Sequence, residues 1–482
     1  MNDLNLPLFT QLLSKKNIAP VEQFPDEPRL MFSTLPDIED RGIIRFILGS
    51  HISFEQGQED HVARLIKYWR AKLSPELEGA GDSADELDNE YLKDLASDAP
   101  VIRKVNHLMQ RALDLNASDI HFEPEEKYLK VRCRVDGVMV NIEQLPAAVQ
   151  ASVSSRVKLM ARLDIGEKRL PQDGRIQYQM GGRSLDMRVS TLPGVHGESI
   201  VLRILDRGDV HVSLDKLGMP PGVLKPYSQI IQQPHGIVLV TGPTGSGKTT
   251  SLYATLEKIN TGTQKTITVE DPVEYQLEGI TQIHVNSKIG LDFAAGLRSI
   301  VRQDPDIIMV GEIRDHETAE IAIESALTGH LVFSTLHTND AASAITRLQD
   351  MGIDSYLISS SLIAVMAQRL VRKVCEHCAE LVPLSKGEAE LLNISQKQFP
   401  EFRRGKGCER CANTGYRGRL GLYELLLISD DIRHIIGSGG DANQIRKQAV
   451  KEGLRILRQD ALEKLYQGIT TPEEIVRVTR AV

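Results

Sequence analysis

Basic residues are outnumbered in this chain: 57 Lys and Arg against 65 Asp and Glu leave a formal net charge of −8 over 482 residues. That balance argues against a general nucleic-acid binder, which carries a basic surface. Aromatic residues are scarce too, at 5% with a single tryptophan, and no basic-aromatic stripe offers platforms for stacking bases. No apolar run approaches the roughly 20 residues needed to span a bilayer. The first residues, MNDLNLPLFTQLLSKKN, lack the positive n-region and long apolar h-region of a signal peptide. The expected compartment is therefore the cytosol, with any membrane association made through a partner. Five cysteines are too few for a disulfide framework in a chain this long. With 41% hydrophobic and 25% charged residues, the composition is that of a globular protein, and the length predicts roughly three domains.

The most informative stretch is Ile-Val-Leu-Val-Thr-Gly-Pro-Thr-Gly-Ser-Gly-Lys-Thr-Thr at 237–250. Gly242, Gly247, Lys248 and Thr249 fill the pattern G-x-x-x-x-G-K-[ST]. In such a loop, comprising Gly242, Pro243, Thr244, Gly245, Ser246, Gly247, Lys248, Thr249 and Thr250, the glycines let backbone N–H groups wrap a phosphate. The lysine reaches the β- and γ-phosphates and the threonine hydroxyl ligates Mg²⁺. The flanks agree: Ile237–Val240 reads as a buried parallel strand, and Thr249–Ile259 has helical apolar spacing. That helix aims its positive end at the nucleotide. The chain is expected to bind a nucleoside triphosphate.

Around this loop the sequence divides into seven segments. Residues 1–75 form a weakly marked N-terminal module with an apolar-periodic helix near His61–Leu73 that holds Trp69. Residues 76–96 are a linker, and Glu76–Glu90 holds seven acidic residues and no basic one, a self-repelling composition. From 97 to 205, an amphipathic helix at Pro100–Leu115 precedes strand-like segments at Asp119–Phe122, Tyr128–Val135, Arg175–Met180, Ser184–Ser190 and Ser199–Ile204, the pattern of a small α+β domain. Residues 206–234 read as a second linker. From 235 to 370, short apolar strands (Thr266–Val269, Ile307–Val310 and Leu331–Ser334 after the first) alternate with helices. This is a doubly wound α/β domain whose ligand belongs at the carboxyl ends of the strands. A cysteine-bearing segment, 371–425, and a helical region, 426–482, complete the chain. Thr471-Pro472-Glu473-Glu474 near its end reads as a capping box.

Cys375, Cys378, Cys408 and Cys411 form two C-x-x-C knuckles separated by 29 residues. Four thiolates so paired occupy the corners of a tetrahedron, the closed coordination of structural Zn²⁺. Cys133 reads as an ordinary strand cysteine. Three further clusters follow strands of the α/β domain: Glu270-Asp271-Pro272-Val273-Glu274, Gly311-Glu312-Ile313-Arg314-Asp315, and Thr335-Leu336-His337 with Thr328-Gly329-His330 before it. Hydrolysis of a triphosphate needs a group to orient water, a carboxylate to hold the metal and a sensor of the γ-phosphate. Glu274, Glu312 and His337 are the candidates in that order.

The set GPTGSGKTT, VEDPVEY, DPDIIMVGEIRD and TGHLVFSTLHTND resembles the Walker A, Asp box, Walker B and His box of the secretion-superfamily ATPases. These power type II secretion and type IV pilus assembly. The resemblance extends through SDIHFEP (118–124), RVDGVM (134–139), LPQDGRI (170–176) and STLPGVHGESIVLRIL (190–205) upstream, and through both knuckles and RGRLGLYELL (417–426) downstream. It implies a RecA-like P-loop ATPase domain preceded by a small α+β, PAS-like domain, with a tetracysteine zinc insert and a helical C-terminal tail. It implies Lys248 and Thr249 on phosphates and Mg²⁺, Glu312 supporting that metal, Glu274 as general base, and His337 or His330 as γ-phosphate sensor. Arg188 and Arg203, on adjacent candidate strands, match arginines that family members bring onto the nucleotide. Within the family the resemblance takes the tetracysteine insert as the mark of assembly rather than retraction ATPases, and the short N-terminal module resembles type II secretion (GspE-like) ATPases more than pilus extension (PilB-like) ones. The resemblance further implies a homo-hexameric, Mg²⁺-dependent ATPase at the bacterial inner membrane, with an inner-membrane recruiter (GspL-like), a platform protein (GspF-like) and no nucleic acid. A type IV pilus extension (PilB-like) or competence pseudopilus motor, and a DNA-translocating P-loop hexamer, are the alternatives.

Overall fold

Period-two alternation in Tyr128–Val135 and its neighbours becomes an antiparallel sheet in the computed structural model, which describes residues 18–21, 29–33, 41, 52–73, 99–180, 183–206, 213–397 and 399–479. The chain divides into two units, Met1–Gly208 and Asp209–Val482.

In the first unit, β1 (Ile18–Pro20) runs antiparallel to β2 (Arg29–Phe32), which runs parallel to β3 (Ser53–Gln56). Helix α1 (Glu59–Leu73) packs against β1, with Glu59 and Asp60 at its positive end. The side chain of Trp69 and the acidic linker lie outside the described residues. Helix α2 (Ala99–Asp114) then leads into β4 (Ala117–Pro124), β5 (Tyr128–Val135), β6 (Val138–Pro146), helix α3 (Gln150–Met160), β7 (Gln172–Met180), β8 (Arg183–Gly194) and β9 (Gly197–Asp206). The strands form one sheet in the order β6-β5-β4-β9-β8-β7. Its apolar face, with Ile120, Phe122, Val131, Val189 and Leu202, packs with Val105, Leu108, Val153 and Val157 of the two helices. Each such side chain removed from water contributes about 1.5–3 kcal/mol. Neither β6 nor α3 is legible in the sequence. In α3 the buried residues are Ser152, Val153, Ser154, Ser155, Val157 and Lys158, so no apolar stripe marks it. Lys158 enters the interior by pairing with Glu198 and donating to the Glu167 carbonyl at 2.6 Å.

The second unit opens with α4 (Pro221–Ile230), although 206–234 reads as a linker. Leu214, Met219, Val223 and Tyr227 belong to the same core as Val238 and Leu252, and the Tyr227 hydroxyl lies 2.9 Å from that of Thr255. The alternation then runs β10 (Gly236–Thr241), α5 (Lys248–Ile259), β11 (Thr266–Glu270), β12 (Thr281–His284), α6 (Phe293–Val301), β13 (Ile307–Val310), α7 (His316–Leu327), β14 (Leu331–Leu336), α8 (Ala341–Asp350), α9 (Ser355–Ser361) and β15 (Leu362–Val374). Asp292, Asp315 and Asp340 start α6, α7 and α8 by accepting the N–H of the third helical residue. After β16 (Ala379–Pro383), α10 (Lys386–Leu392) and β17 (Glu401–Gly405), β18 (Tyr416–Leu427) returns to the main sheet, followed by α11 (Asp430–Gly437), α12 (Ala442–Lys451), α13 (Leu457–Tyr466) and α14 (Pro472–Thr479).

The sheet order is β12-β11-β13-β14-β10-β15-β18, parallel throughout except for the antiparallel pair β15–β18. The fold is therefore a RecA-like α/β sheet. Its last two strands straddle the boundaries at 370 and 425 read from the sequence. The tetracysteine segment is thus an insertion between two neighbouring strands. At α14 the capping box is half made: the Thr471 hydroxyl oxygen accepts from the Glu474 N–H at 3.4 Å. The Glu474 carboxylate turns instead to Arg372 and Arg477.

Candidate active site

All six residues of β10 are buried, so the turn that follows is held rigidly at the carboxyl edge of the sheet. Gly242 and Gly247 adopt φ of 152° and 86°, conformations that favour glycine. A β-carbon on Gly242 would stand 2.4 Å from the Gln368 carbonyl oxygen, and one on Gly247 would stand 2.9 Å from the Gln368 amide nitrogen. Strand β15 therefore braces the loop from beneath, and the Ser251 hydroxyl of α5 donates to Gln368 at 2.8 Å. The Lys248 ammonium donates to the Gly242 carbonyl at 2.7 Å. Burial brings its pKa down to about 8, against the pull of Glu312. Ser246 Oγ is buried without a partner. A loop with an inward lysine, an orphaned hydroxyl and no room for a side chain at Gly242 or Gly247 fits a polyphosphate. Thr249 is exposed at the start of α5, next to Lys248.

The neighbouring strands add to this edge. Glu312 follows β13, and its carboxylate accepts from Arg314 and lies 3.4 Å from His337 Nε2. Burial favours its protonated form, but Arg314, His337 and Lys248 overcome that and hold it below the usual carboxylate range. His337 is pushed below its ordinary value by burial and by Lys248, which favours a neutral ring at pH 7. The Thr241 hydroxyl, at the end of β10, lies 2.8 Å from that of Thr338 and accepts the Thr338 N–H at 2.9 Å. These bonds tie the His337 loop to the phosphate loop.

Glu274 is exposed, and its N–H donates to the Tyr253 hydroxyl of α5 at 3.3 Å. Tyr253 in turn donates to Glu270, which is 3% exposed and also accepts from Thr268 at 2.6 Å and Gln282 at 3.1 Å. The first glutamate of the cluster is therefore a buried anchor, and the second is the one presented outward. His330 is placed elsewhere. It precedes Leu331, which pairs with Gly236 at the start of β10, so the full strand separates it from the phosphate loop. Its Nδ1 lies 2.7 Å from the Ser325 carbonyl oxygen. Within this unit it is His337, not His330, that faces Glu312.

In the first unit, Arg188 and Arg203 sit directly opposite each other on β8 and β9. Arg203 Nε donates to Asp119 at 2.9 Å while the guanidinium remains largely exposed.

The four knuckle cysteines converge, with all sulfurs within 4.8 Å of one another. Cys375–Cys408, Cys378–Cys411 and Cys408–Cys411 are 3.9, 3.9 and 3.7 Å apart. A tetrahedron with metal–sulfur bonds of about 2.3 Å has edges of about 3.8 Å, so the thiols fit a tetrahedral ion. Burial opposes ionisation of Cys411, but the N–H groups of Cys408 and Gly415 bring its pKa down to about 7. Cys133 is buried in β5, where desolvation pushes its thiol up to about 12.

Reading the sequence passes over Gln368 and Arg369, polar residues inside an apolar strand, and Tyr253, which looks like one more apolar position of α5. Gln368 and Arg369 carry a signal, the interruption of LIAVMAQRLV, that only the strand's place beneath the loop explains.

A family model described as type II/IV secretion system protein matches residues 94–477. The type II secretion system protein E of Xanthomonas campestris pv. campestris is 50% identical over 444 residues, covering 90% of this chain and 78% of that protein. The type II secretion system ATPase E of Vibrio cholerae is 48% identical over 398 residues, covering 82% and 79%. Among solved structures, the pilus retraction motor PilT with bound ADP aligns with a TM-score of 0.52 at 27% identity, over 77% of this chain and 95% of that one. The Legionella pneumophila ATPase DotB aligns at 0.59 and 23% identity, over 78% and 95%, a likeness of fold.

Proposed function

The chain belongs to the type II/IV secretion system protein family and is an ATPase of type II secretion, and from that premise we propose that it works as a hexameric, Mg²⁺-dependent motor driving pseudopilus assembly. The observation that carries this reading is the convergence of Lys248, Glu312 and His337 at one edge of the sheet. Lys248 is a cation held for a phosphate, Glu312 is a carboxylate kept ionised, and His337 is a neutral imidazole beside it.

In this reading Thr249 and Glu312 hold the Mg²⁺, which would neutralise charge on the β- and γ-phosphates. Glu274 orients and deprotonates the attacking water, and His337 reports the γ-phosphate. Arg188 and Arg203 are supplied to a nucleotide by the α+β domain; their forked donors suit a phosphate, and Asp119 holds one of them by its Nε. The four cysteines hold a structural zinc. Residues 1–75 dock on an inner-membrane recruiter, the acidic linker 76–96 gives reach, and the motor turns a platform protein at the inner membrane. Among the described residues no helix is long and apolar enough to cross a membrane.

Lys248→Ala tests the reading. It is expected to abolish ATP hydrolysis by the purified chain and export in cells, while the circular dichroism spectrum is unchanged. Hydrolysis by that variant at the wild-type rate would refute it.

A further inference from the structure

We propose that Arg369 is a nucleotide-contacting residue, a second cation that the ATPase unit itself places on the polyphosphate beside Lys248. The inference deepens the ATPase reading above and rests on it.

Strand β15 runs parallel to β10, with Ala367 opposite Thr241, the last residue before the phosphate loop. Arg369 lies two residues further along, on the same side of the sheet as Ala367, at the carboxyl edge where a ligand of such a sheet binds. Its neighbour Gln368 touches the loop glycines from beneath.

Arg369 is half-buried, and its Nε is buried with no hydrogen-bond partner. One terminal nitrogen donates to the Asn339 side chain at 2.7 Å, in the loop that carries His337. Among the described residues no carboxylate pairs with this guanidinium. The nearest negative influence, Asp340, is already engaged by Arg446 at 2.7 Å and by the N–H and hydroxyl of Ser343 at 2.9 and 2.7 Å.

Lys248, Arg369 and Arg314 gather at this edge around Glu312, whose carboxylate is already shared between Arg314 and His337, while Asp271 acts on Arg314 and Asp340 on Arg369. Lys248 and Arg369 repel each other across a partly desolvated mouth. A guanidinium costs free energy to bury unless an anion meets it. The anion this chain hydrolyses supplies several phosphate oxygens at the same edge. A fork already anchored by Asn339 presents its remaining donors without further ordering cost.

The test measures ATP and ADP affinity of the full chain with Mg²⁺, by displacement of a fluorescent ATP analogue, together with hydrolysis and thermal melting. Arg369→Gln is expected to weaken both nucleotides by on the order of 10- to 100-fold, the worth of a charge-assisted bond. Arg369→Lys, which keeps charge but loses the fork, is expected to fall between Gln and wild type. Asn339→Ala is expected to lose clearly less than Arg369→Gln, because the guanidinium and its charge remain and only its anchoring is lost. Wild-type affinity in Arg369→Gln would overturn the proposal. So would an Asn339→Ala loss as large as that of Arg369→Gln, because Arg369 would then act only by holding that loop. If Arg369→Gln does not melt as a folded protein, Arg369→Lys decides alone: reduced affinity supports the contact and wild-type affinity removes it. Failure of the wild-type chain to bind or hydrolyse ATP would instead undo the ATPase reading itself.

Discussion

Glu270 and Glu274 are four residues apart in one acidic cluster, yet the structure gives them opposite environments. Glu270 is buried and satisfied by Tyr253, Thr268 and Gln282, while Glu274 is exposed and located by its N–H bond to Tyr253. A general base must reach the water that attacks, so the exposed carboxylate is the one suited to that work. Glu274→Gln is expected to lower turnover by roughly 10²- to 10⁴-fold while ATP binding stays near normal. Steady-state hydrolysis alongside nucleotide titration separates the two effects, and near-normal turnover would return the role to Glu312. Glu270→Gln is expected to act differently, because it weakens a buried network. Its melting temperature should drop along with its turnover.

At the scale of elements, two attachments matter: one ties α14 to the sheet and the other closes the insertion between β15 and β18. Glu474 of α14 accepts from Arg372 of β15 at 2.6 Å and from Arg477 at 2.8 Å, and it is 1% exposed. Burial alone would raise its pKa, but these two arginines hold it near 2. The folded value lies below the unfolded one, so the stabilisation is complete above about pH 4.5 and disappears as pH falls toward 2. Glu474→Gln is expected to cost on the order of 2–3 kcal/mol at pH 7, with wild type and variant converging as acid is added. Denaturant titrations across that pH range read this directly. The second attachment is the cysteine insertion, whose four sulfurs have the spacing of a tetrahedral site. Metal analysis of protein purified without chelators should return one zinc per chain. Cys411→Ser should lose that zinc and loosen 375–415 while retaining ATP binding, as read by hydrogen exchange and nucleotide titration. Protein free of zinc would remove the site.

For the whole molecule, the arginine pair and the N-terminal module bear on how the parts cooperate. Arg188 and Arg203 lie side by side on the face of the first unit's sheet opposite its helices. If they meet nucleotide in the assembled ring, Arg188→Ala with Arg203→Ala should lower turnover by at least about 10-fold and leave each unit's melting unchanged. A chain lacking residues 1–90 should hydrolyse ATP when oligomerised artificially but fail to reach the membrane or support export. Normal membrane recovery would place recruitment elsewhere. The phosphate loop, the strands on either side of it and the paired cysteines are legible in the sequence because each is local. A loop motif, a period of two or a two-residue spacing needs no knowledge of distant partners. Tertiary structure alone decided that residues 214–231 join the ATPase core and that β18 returns to complete its sheet. It also set His330 at the wrong end of β14 for the phosphate loop, and Gln368 and Arg369 beside that loop from about 120 residues away. Those outcomes depend on which strands become neighbours, and strand order follows from burying several apolar faces at once, a condition that no single segment carries.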